Sequence, residues 1–427
     1  MVCSRLHKKR FRGAAALTAA SAASQLLPLL VQPVLGRLVE PGAFSPYAVF
    51  TSVLGILGQG ACLRYDYAAL VCESAVQSRL AALTACAASV LTGAAAAVFL
   101  LIWQIPGLRA LVPLSDDSFL GWIPLSLFLT GLGSALRTYA VRQESFSFTA
   151  WMDLLRAALF SGGQLLFCFG GMGAYGLLLG QIVGLTAGSL PFIFYYVKRE
   201  KPRLFQKSTW QSAWYSLLAT ARSLRDFPRY LLPGALSAAM AGSLLPLICA
   251  GLYSPEQVSL TQRAVSLLGV PSSIVSSSFS QVVVKRTVDE KKEGHSLLPW
   301  FQRITWLLCW VGVPMFALLF FFGEPLVVWF LGDKWRGMGG ILPYLIPLFA
   351  VRFVVIPVTG TPAACGDRKR TMQFQLLLPL SVALAGGAAW WGHWPVTVFL
   401  LAVTILQSAA YGAFWLYCRR TAKGGAA

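Results

Sequence analysis

Apolar runs of roughly 20 residues, separated by short polar segments, follow one another along the whole chain. A helix needs about this many apolar residues to cross the hydrocarbon core of a bilayer, so the pattern predicts about twelve membrane-spanning helices. Glycine and proline within the runs are no objection, because both are common in membrane helices. The predicted spans are approximately 13–35, 43–64, 80–103, 119–141, 151–170, 173–196, 229–251, 260–284, 301–322, 341–363, 373–391 and 394–418.

The composition supports this assignment. Of the 427 residues, 56% are hydrophobic and 12% are charged, and the mean hydropathy is +0.65. A soluble domain has about 45–50% apolar and about 25% charged residues. We therefore expect an all-α integral membrane protein. The basic head is followed by an apolar run without a convincing cleavage site, so the first helix is expected to stay attached.

The basic residues predict the topology. The net charge of +19 would suggest a nucleic-acid partner in a soluble protein. Here most of the 35 Lys and Arg lie in segments that alternating spans place on one side, which predicts that both termini are cytoplasmic. Topology thus explains the charge, and no nucleic acid is expected. The exceptions are Arg37, Arg109, Arg263, Lys334 and Arg336 on the other side and Arg352 within a span.

The longest polar segment follows the sixth predicted span. It divides the chain into an N-terminal six-helix lobe (1–196), a cytoplasmic linker (197–228) and a C-terminal six-helix lobe (229–427). Trp210 and Trp214 lie on one apolar helical face of the linker, which predicts either an interfacial helix or a plain connector. Both lobes contain a Leu-Leu-Pro-Leu helix followed by an acidic turn with proline, and such duplication is typical of secondary transporters.

Signatures of an enzyme or a metal centre are missing from the sequence. The nine cysteines occur without a CxxC pair, and the three histidines lie far apart. Neither HExxH nor GxSxG occurs, and the predicted outer loops are too short for a catalytic domain. The sequence therefore predicts a transporter with no catalytic residue, no cofactor and no metal.

A glycine stripe lies in the segment "GLLLGQIVGLTAG". Gly176, Gly180, Gly184 and Gly188 are four residues apart and share one helical face, so a neighbouring backbone can approach closely. We expect helix packing here, with a direct role in substrate binding as the alternative. The preceding "GGMGAYG" lacks the GK[ST] ending of a phosphate loop and predicts a tight turn between two spans.

Charges inside the predicted spans are the candidate functional groups. Arg352 lies near the middle of "LPYLIPLFAVRFVVIPVTG", where an arginine costs about 2.5–3.5 kcal/mol on insertion scales. It should therefore either face a cavity as a functional cation or snorkel or pair structurally. Arg263, just inside the eighth span, poses the same alternatives. Arg64 and Asp66 of "RYDYA" end the second span and either pair with each other or gate the inner mouth.

Further charges end the fourth span and begin the fifth. Arg137 and Arg142 are either cavity cations or anchors on the positive side of the membrane. Asp153 and Arg156 are three residues apart and predict an ion pair, and Asp153 is also a candidate for proton coupling. Several cations around a cavity favour an anionic cargo, and a charged head group carried on a lipid would suit both the cations and the apolar walls.

Three segments resemble a known family. They are "SQLLPLLVQPVLGRLVEPGAFSPYAVFTSVLGILGQGACLRYDYAALV", "RDFPRYLLPGALSAAM" and "FLGDKWRGMGGILPYLIPLFAVRF". Their order and spacing resemble the polysaccharide-biosynthesis exporters, the Wzx-type O-antigen flippases of the multidrug/oligosaccharidyl-lipid/polysaccharide exporter superfamily. The resemblance covers almost the whole chain.

This resemblance implies a twelve-helix flippase of the bacterial inner membrane that contributes to lipopolysaccharide or exopolysaccharide biosynthesis. Its cargo would be an undecaprenyl-diphosphate-linked oligosaccharide, moved by alternating access. Arg352 would attract the diphosphate, with Arg263 and Arg64 along the route. The expected partners are this lipid-linked substrate, membrane lipids, and a polysaccharide polymerase with its chain-length regulator.

Three other functions stay open. A cation-coupled multidrug exporter of the same superfamily would be expected to carry acidic residues inside its spans, whereas the charges here are mostly arginines. A membrane-embedded polymerase or glycosyltransferase generally needs a sizeable catalytic loop. A lipid scramblase or assembly scaffold needs no coupling group at all.

Overall fold

The structure is a computed structural model that describes residues 20, 23–72, 74–103, 119–204, 210–293, 297–365 and 367–424. Every regular element in these ranges is helical, which confirms the all-α prediction for the described part of the chain. The chain forms two compact units, Met1–Ala239 (the N-terminal unit) and Met240–Ala427 (the C-terminal unit). The lobe and linker bounds predicted above stay a prediction.

The N-terminal unit consists of long helices joined by short turns. Its elements are α1 (23–38), α2 (Pro41–Leu57), a 3-10 turn (Gly58–Gly60), α3 (Tyr65–Val71), α4 (Ala75–Trp103), a 3-10 turn (Leu120–Trp122), α5 (Ile123–Arg142), α6 (Phe146–Phe169), α7 (Ala174–Leu204), α8 (Trp210–Ser223) and a π-helical segment (Phe227–Leu231). The tight turn predicted at "GGMG" separates α6 from α7. Gly171 and Gly173 have positive φ there, which glycine adopts without steric cost.

The C-terminal unit is built in the same way. Its elements, counted from the helix in which it begins, are α9 (Leu232–Leu252), α10 (Pro255–Glu293), α11 (Leu298–Leu331), a 3-10 segment (Asp333–Gly340), α12 (Leu342–Val355), a 3-10 turn (Ile356–Val358), α13 (Thr361–Ala364), α14 (Arg368–Gly392) and α15 (Val396–Gly424). Prolines occur inside several of these helices, as membrane helices tolerate.

Eight helices in the described ranges are long and apolar enough to cross a membrane, or nine if one bent pair counts as a span. Twelve spans therefore stay a prediction. The predicted spans 119–141 and 260–284 are helical, as parts of α5 and α10, but are not among the eight. Ser, Thr and charged residues lower the mean hydropathy of both helices. The first predicted span lies partly outside the described residues.

The predicted span 341–363 is not a single straight helix. Its residues 342–358 form the second arm of a bent pair, and the bend of 71° lies at the start of the span, where this arm meets Asp333–Gly340. The chain then passes through a turn into the short helix α13. A run of apolar residues indicates that a segment is buried, but it does not indicate whether the helix is straight. The sequence pattern therefore could not reveal this bend.

The predicted linker helix exists, and it packs on protein. In α8, the carbonyl of Ala221 accepts a hydrogen bond from the hydroxyl of Tyr65 at 3.3 Å. Ala221 and Leu224 also pack on a buried cluster that includes Cys62 and Tyr65. The side chains of Trp210 and Trp214 lie outside the described part, so contact of this helix with lipid stays a prediction.

A buried ionic cluster joins three helices of the N-terminal unit. Glu200 of α7 is 5% exposed and accepts hydrogen bonds from Arg79 of α4 at 3.1 Å and from the Tyr139 hydroxyl of α5 at 2.5 Å. Because a buried carboxylate is costly unless paired, these contacts stabilise the helices in their observed packing. The three residues are far apart in the sequence, so local patterns did not reveal this cluster.

Candidate functional site

A cavity of about 720 Å³ lies within the N-terminal unit. Its walls come from α1, α2, α3, α5, α6 and α7. The lining residues of α6 follow helical periodicity. They are spaced i, i+3, i+4 and i+7, at Asp153, Arg156, Ala157 and Phe160. The charged lining residues are Arg64, Asp66, Arg137, Asp153 and Arg156. The cavity therefore holds three arginines and two aspartates among apolar helices.

Arg137 and Asp153 form an ion pair at this cavity. The Nε and Nη2 atoms of Arg137 donate to the two carboxylate oxygens of Asp153 at 2.9 and 2.6 Å. Bidentate pairs of this kind are the strong class of charge-assisted hydrogen bonds. The predicted ion pair between Asp153 and Arg156 is wrong, because the docking of α5 brings Arg137 to the carboxylate. The positive charge of Arg137 is thus neutralised locally.

Arg156, predicted from the sequence only as an ion-pair partner of Asp153, is a cation that lines the cavity. Its side chain is exposed in the cavity and crosses Gly188 of α7, where an added methyl group would lie 2.8 Å from its Cδ. Within the described part of the chain, it makes no hydrogen bond or ion pair. The i, i+3 spacing from Asp153 did signal a shared face, and that face lines the cavity.

Arg64 and Asp66 line the cavity separately. Nη2 of Arg64 donates to the side-chain oxygen of Gln59 at 2.9 Å, and Oδ2 of Asp66 accepts from the Ser134 hydroxyl at 2.7 Å. The alternative in which the two residues pair with each other is therefore wrong. Arg64 has a left-handed backbone (φ 63°) at the start of α3, which turns the two side chains to different partners.

A hydrogen-bond network of neutral side chains joins α2, α6 and α7. The Tyr47 hydroxyl donates to the Gln181 side-chain oxygen at 3.1 Å and accepts from Nε2 of Gln164 at 3.0 Å. Nε2 of Gln164 also donates to the carbonyl of Leu177 at 3.2 Å. Gln181 faces the cavity, so the network fixes part of its wall. Tyr47 is more than 100 residues away from both glutamines in the sequence, so local sequence patterns did not reveal this network.

The glycine stripe lies where α7 meets α6. Added methyl groups at Gly176, Gly180 and Gly184 would lie 2.8 Å from Cys168 N, 2.4 Å from Gln164 Cγ and 2.6 Å from Phe160 Cβ. Gly184 and Gly188 also line the cavity. The stripe thus allows two helices to approach closely and leaves room beside them for the cavity.

The remaining predicted cations do not line this cavity. Arg142 donates to the carbonyl of Cys72 at 3.1 Å. In the C-terminal unit, Arg263 is 3% exposed and its guanidinium lies 5.2 Å from the Trp335 ring centroid. The Arg352 guanidinium lies 4.8 Å from the ring centroid of Phe349, and its Nε is buried without a hydrogen-bond partner in the described structure.

A sequence profile of a family described as polysaccharide biosynthesis protein matches residues 34–339, more than half of the chain. The chain belongs to this family. The match includes every charged residue of the cavity. No curated protein sequence matches the chain.

Solved structures similar to this member of the polysaccharide biosynthesis protein family are membrane transporters and flippases. An inward-facing multidrug resistance MATE transporter of the MOP superfamily aligns with a TM-score of 0.76 at 14% identity over 94% of this chain and 95% of its own. The lipid II flippase MurJ aligns with a TM-score of 0.70 at 14% identity over 94% of this chain and 86% of its own.

A MOP superfamily transporter from Pyrococcus furiosus, described as having a binding pocket of reverse polarity, aligns with a TM-score of 0.59 at 13% identity, covering 97% of this chain and 96% of its own. These likenesses establish the fold of the MOP superfamily. The profile match confirms the predicted polysaccharide-biosynthesis family. The transporter function stays a prediction.

Proposed function

We propose that the protein is a flippase that moves an undecaprenyl-diphosphate-linked oligosaccharide, such as an O-antigen or exopolysaccharide repeat unit, across the bacterial inner membrane by alternating access. Membership of the polysaccharide biosynthesis protein family supports a glycan as the cargo. The chemistry of the cavity supports an anionic group on that cargo. A lipid-linked diphosphate combines the two.

The main support for this proposal is the position and charge of Arg156 in the cavity. It is a cavity-lining guanidinium without an ion-pair partner in the described structure, whereas Arg137 is neutralised by Asp153. An arginine in a membrane protein is costly unless it meets water or an anion. Arginine also presents a planar fork of donors that matches phosphate oxygens. Arg156 and Arg64 together would bind the diphosphate.

The size of the cavity limits how much cargo it would hold. Its volume of about 720 Å³ is within the usual range of small-ligand pockets, about 300–1,000 Å³. It suits a diphosphate with its first sugars better than a whole lipid-linked glycan. The lipid chain would therefore remain in the bilayer during binding.

The proposal also includes the topology and the partners predicted from the sequence. It comprises twelve spans in two six-helix lobes, cytoplasmic termini, and a polymerase and chain-length regulator as partners. Arg352, Arg263 and Arg142 would contribute cations along the route of the head group. Asp66 and Asp153 are the acidic groups available for coupling or gating.

The second candidate is a cation-coupled multidrug exporter of the same superfamily. Asp66 favours it, because a cavity carboxylate without an ion-pair partner suits a cationic drug. The arginines of the same cavity argue against it, since they would repel such a cargo. The two candidates therefore predict opposite charge preferences.

The test uses vesicles that contain the purified protein and undecaprenyl-diphosphate-linked N-acetylglucosamine. An externally added galactosyltransferase labels the probe that has reached the outer leaflet. We expect labelling of the inner pool to be faster than in protein-free vesicles and slower with Arg156→Ala. Arg336→Ala is the matched control, because its ion pair with Asp333 is exposed. Equal rates with and without protein, together with uptake of organic cations, would favour the exporter.

Arg352 is tested in the same vesicles. Arg352→Ala should reduce transport at least tenfold, a difference of about 1.4 kcal/mol, and Arg352→Lys should restore part of it by returning the charge. Normal insertion of each variant is checked by gel filtration in detergent. Full activity of Arg352→Leu would eliminate Arg352 as a substrate-binding cation.

A further inference from the structure

A second cavity, of about 390 Å³, lies within the C-terminal unit. It forms where the turn between α9 and α10 meets the turn between α14 and α15. Its volume is within the range of small-ligand pockets, about 300–1,000 Å³. The side chains that give it its chemical character are those of Tyr253, Gln257, Trp390, His393, Trp394 and Thr397. It shares no residue with the arginine-lined cavity of the N-terminal unit.

The cavity lies at the end of α14 and α15 that is far from their basic residues. Residues 368–370, at the start of α14, are all Lys or Arg, and Arg419, Arg420 and Lys423 lie near the end of α15. Basic residues concentrate on the cytoplasmic side of membrane proteins. The cavity is therefore predicted to lie on the opposite, periplasmic side.

The turn between α14 and α15 is held in one shape by its contacts. The Tyr253 hydroxyl donates to the backbone carbonyl of Trp394 at 3.0 Å, which joins the two turns. Trp394 N donates to the carbonyl of Ala389 at 3.1 Å, and the intervening His393 has a left-handed backbone (φ 49°). The Trp394 ring lies against Gly392, where an added methyl group would be 2.4 Å from its Nε1. Positive φ is uncommon outside glycine, so these contacts preform this wall of the cavity.

Three aromatic rings line the cavity, those of Tyr253, Trp390 and Trp394. Tryptophan and tyrosine are also common at membrane interfaces, where they need no ligand. The neighbouring Trp391 fits that description, because it is 86% exposed and does not line the cavity. Trp390 and Trp394 differ from it, since both border a concave space. Flat aromatic faces in such a space can stack on the C–H faces of sugar rings.

The polar groups of the cavity suit a neutral ligand with many hydroxyls. Gln257 uses its side-chain oxygen on the backbone N–H of Ser254, and its Nε2 and the side chains of His393 and Thr397 make no hydrogen bond within the described residues. None of the described lining residues is Lys, Arg, Asp or Glu, so a diphosphate would find no cation here. A quaternary ammonium ion would use the rings but not the hydrogen-bonding groups. A sugar uses both.

We propose that this cavity binds uncharged sugar residues of a glycan on the periplasmic side of the membrane. Membership of the polysaccharide biosynthesis protein family favours a glycan as the ligand. The site goes beyond the proposed function, because it binds sugars without the diphosphate. Its role would be to hold the sugars of a cargo that has reached the outer leaflet. That role rests on the proposed function, whereas the binding itself does not.

The test measures binding of the purified full chain to an array of free, uncharged oligosaccharides built from hexoses, deoxyhexoses and N-acetylhexosamines. The protein is held in nanodiscs of phosphatidylglycerol and phosphatidylethanolamine, which contain neither a sugar nor a quaternary ammonium group. The wild type should bind at least one oligosaccharide, and Trp390→Ala should weaken that binding about tenfold, because a stacking face is lost. Trp391→Ala is the matched control and should bind as tightly as the wild type.

Two further variants separate binding from the shape of the turn. Trp394→Phe keeps a ring against Gly392 and should retain most of the affinity. Thr397→Val keeps the branched shape but removes one hydroxyl, and it should lose about fivefold in affinity. Absence of binding to every oligosaccharide, equal losses in Trp390→Ala and Trp391→Ala, or binding of tetramethylammonium in place of the sugars would overturn the proposal.

Failure of this site can be distinguished from failure of the proposed function. Glycan binding that depends on Trp390, without flipping of the diphosphate probe in vesicles, would leave the sugar site in place and count against the proposed function. Flipping of the probe without glycan binding by the wild type would refute the sugar site and leave the proposed function in place.

Discussion

Gly180→Ala is the sharpest perturbation of the contact between α6 and α7. The added methyl group would lie 2.4 Å from Cγ, 2.5 Å from N and 2.8 Å from Cα of Gln164. Two of these atoms belong to the backbone, so a rotamer change alone cannot relieve the overlap. The two helices must move apart, or Gln164 must leave its place.

The expected change in the free energy of unfolding is the sum of three contributions. Overpacking costs about 1–3 kcal/mol. Displacing Gln164 weakens its hydrogen bonds to Tyr47 and Leu177, each worth about 1 kcal/mol net. Alanine recovers about 1 kcal/mol of helix propensity relative to glycine. We therefore expect the free energy of unfolding to fall by about 2–4 kcal/mol.

The assay is unfolding in mixed micelles with increasing SDS, followed by tryptophan fluorescence. Gly162→Ala is the matched control, because it lies on α6 and an added methyl group there meets nothing within 4 Å. It should leave stability unchanged or raise it by up to about 1 kcal/mol. If Gly180→Ala is as stable as Gly162→Ala, close approach at Gly180 does not determine the packing of these helices.

Two further predictions concern ionic contacts. A double-mutant cycle on Arg137→Ala and Asp153→Ala should give a coupling energy of about 1–2 kcal/mol, reduced because the Arg137 side chain is 37% exposed. A value no larger than that of the exposed Asp333–Arg336 pair would contradict a structural role. In the loop before α14, the Tyr417 hydroxyl donates to Asp367 and lowers the pKa of that carboxyl. Tyr417→Phe should therefore lose stability at neutral pH, and its deficit should shrink as pH falls through the pKa of Asp367; a pH-independent deficit would refute this linkage.

Local sequence patterns predicted much of the helical architecture. Apolar runs locate the helices, since a helix in lipid must satisfy its backbone internally and cover itself with apolar side chains. The glycines at "GGMG" and the stripe from Gly176 to Gly188 likewise signal a turn and a close contact. These features depend on neighbours within a few residues, so the sequence contains them directly.

The partners of the polar groups depend on how the helices dock. Asp153 pairs with Arg137 on another helix instead of Arg156 on its own, and Asp66 bonds to Ser134, which is 68 residues away. Helical periodicity states which residues share a face, but the rotation and spacing of neighbouring helices decide which faces meet. Those are set by packing over the whole contact, including the overlap that Gly180 avoids. Sequence thus predicted a membrane transporter with intramembrane charges, and tertiary packing alone decided which charges are neutralised and which remain available to a ligand.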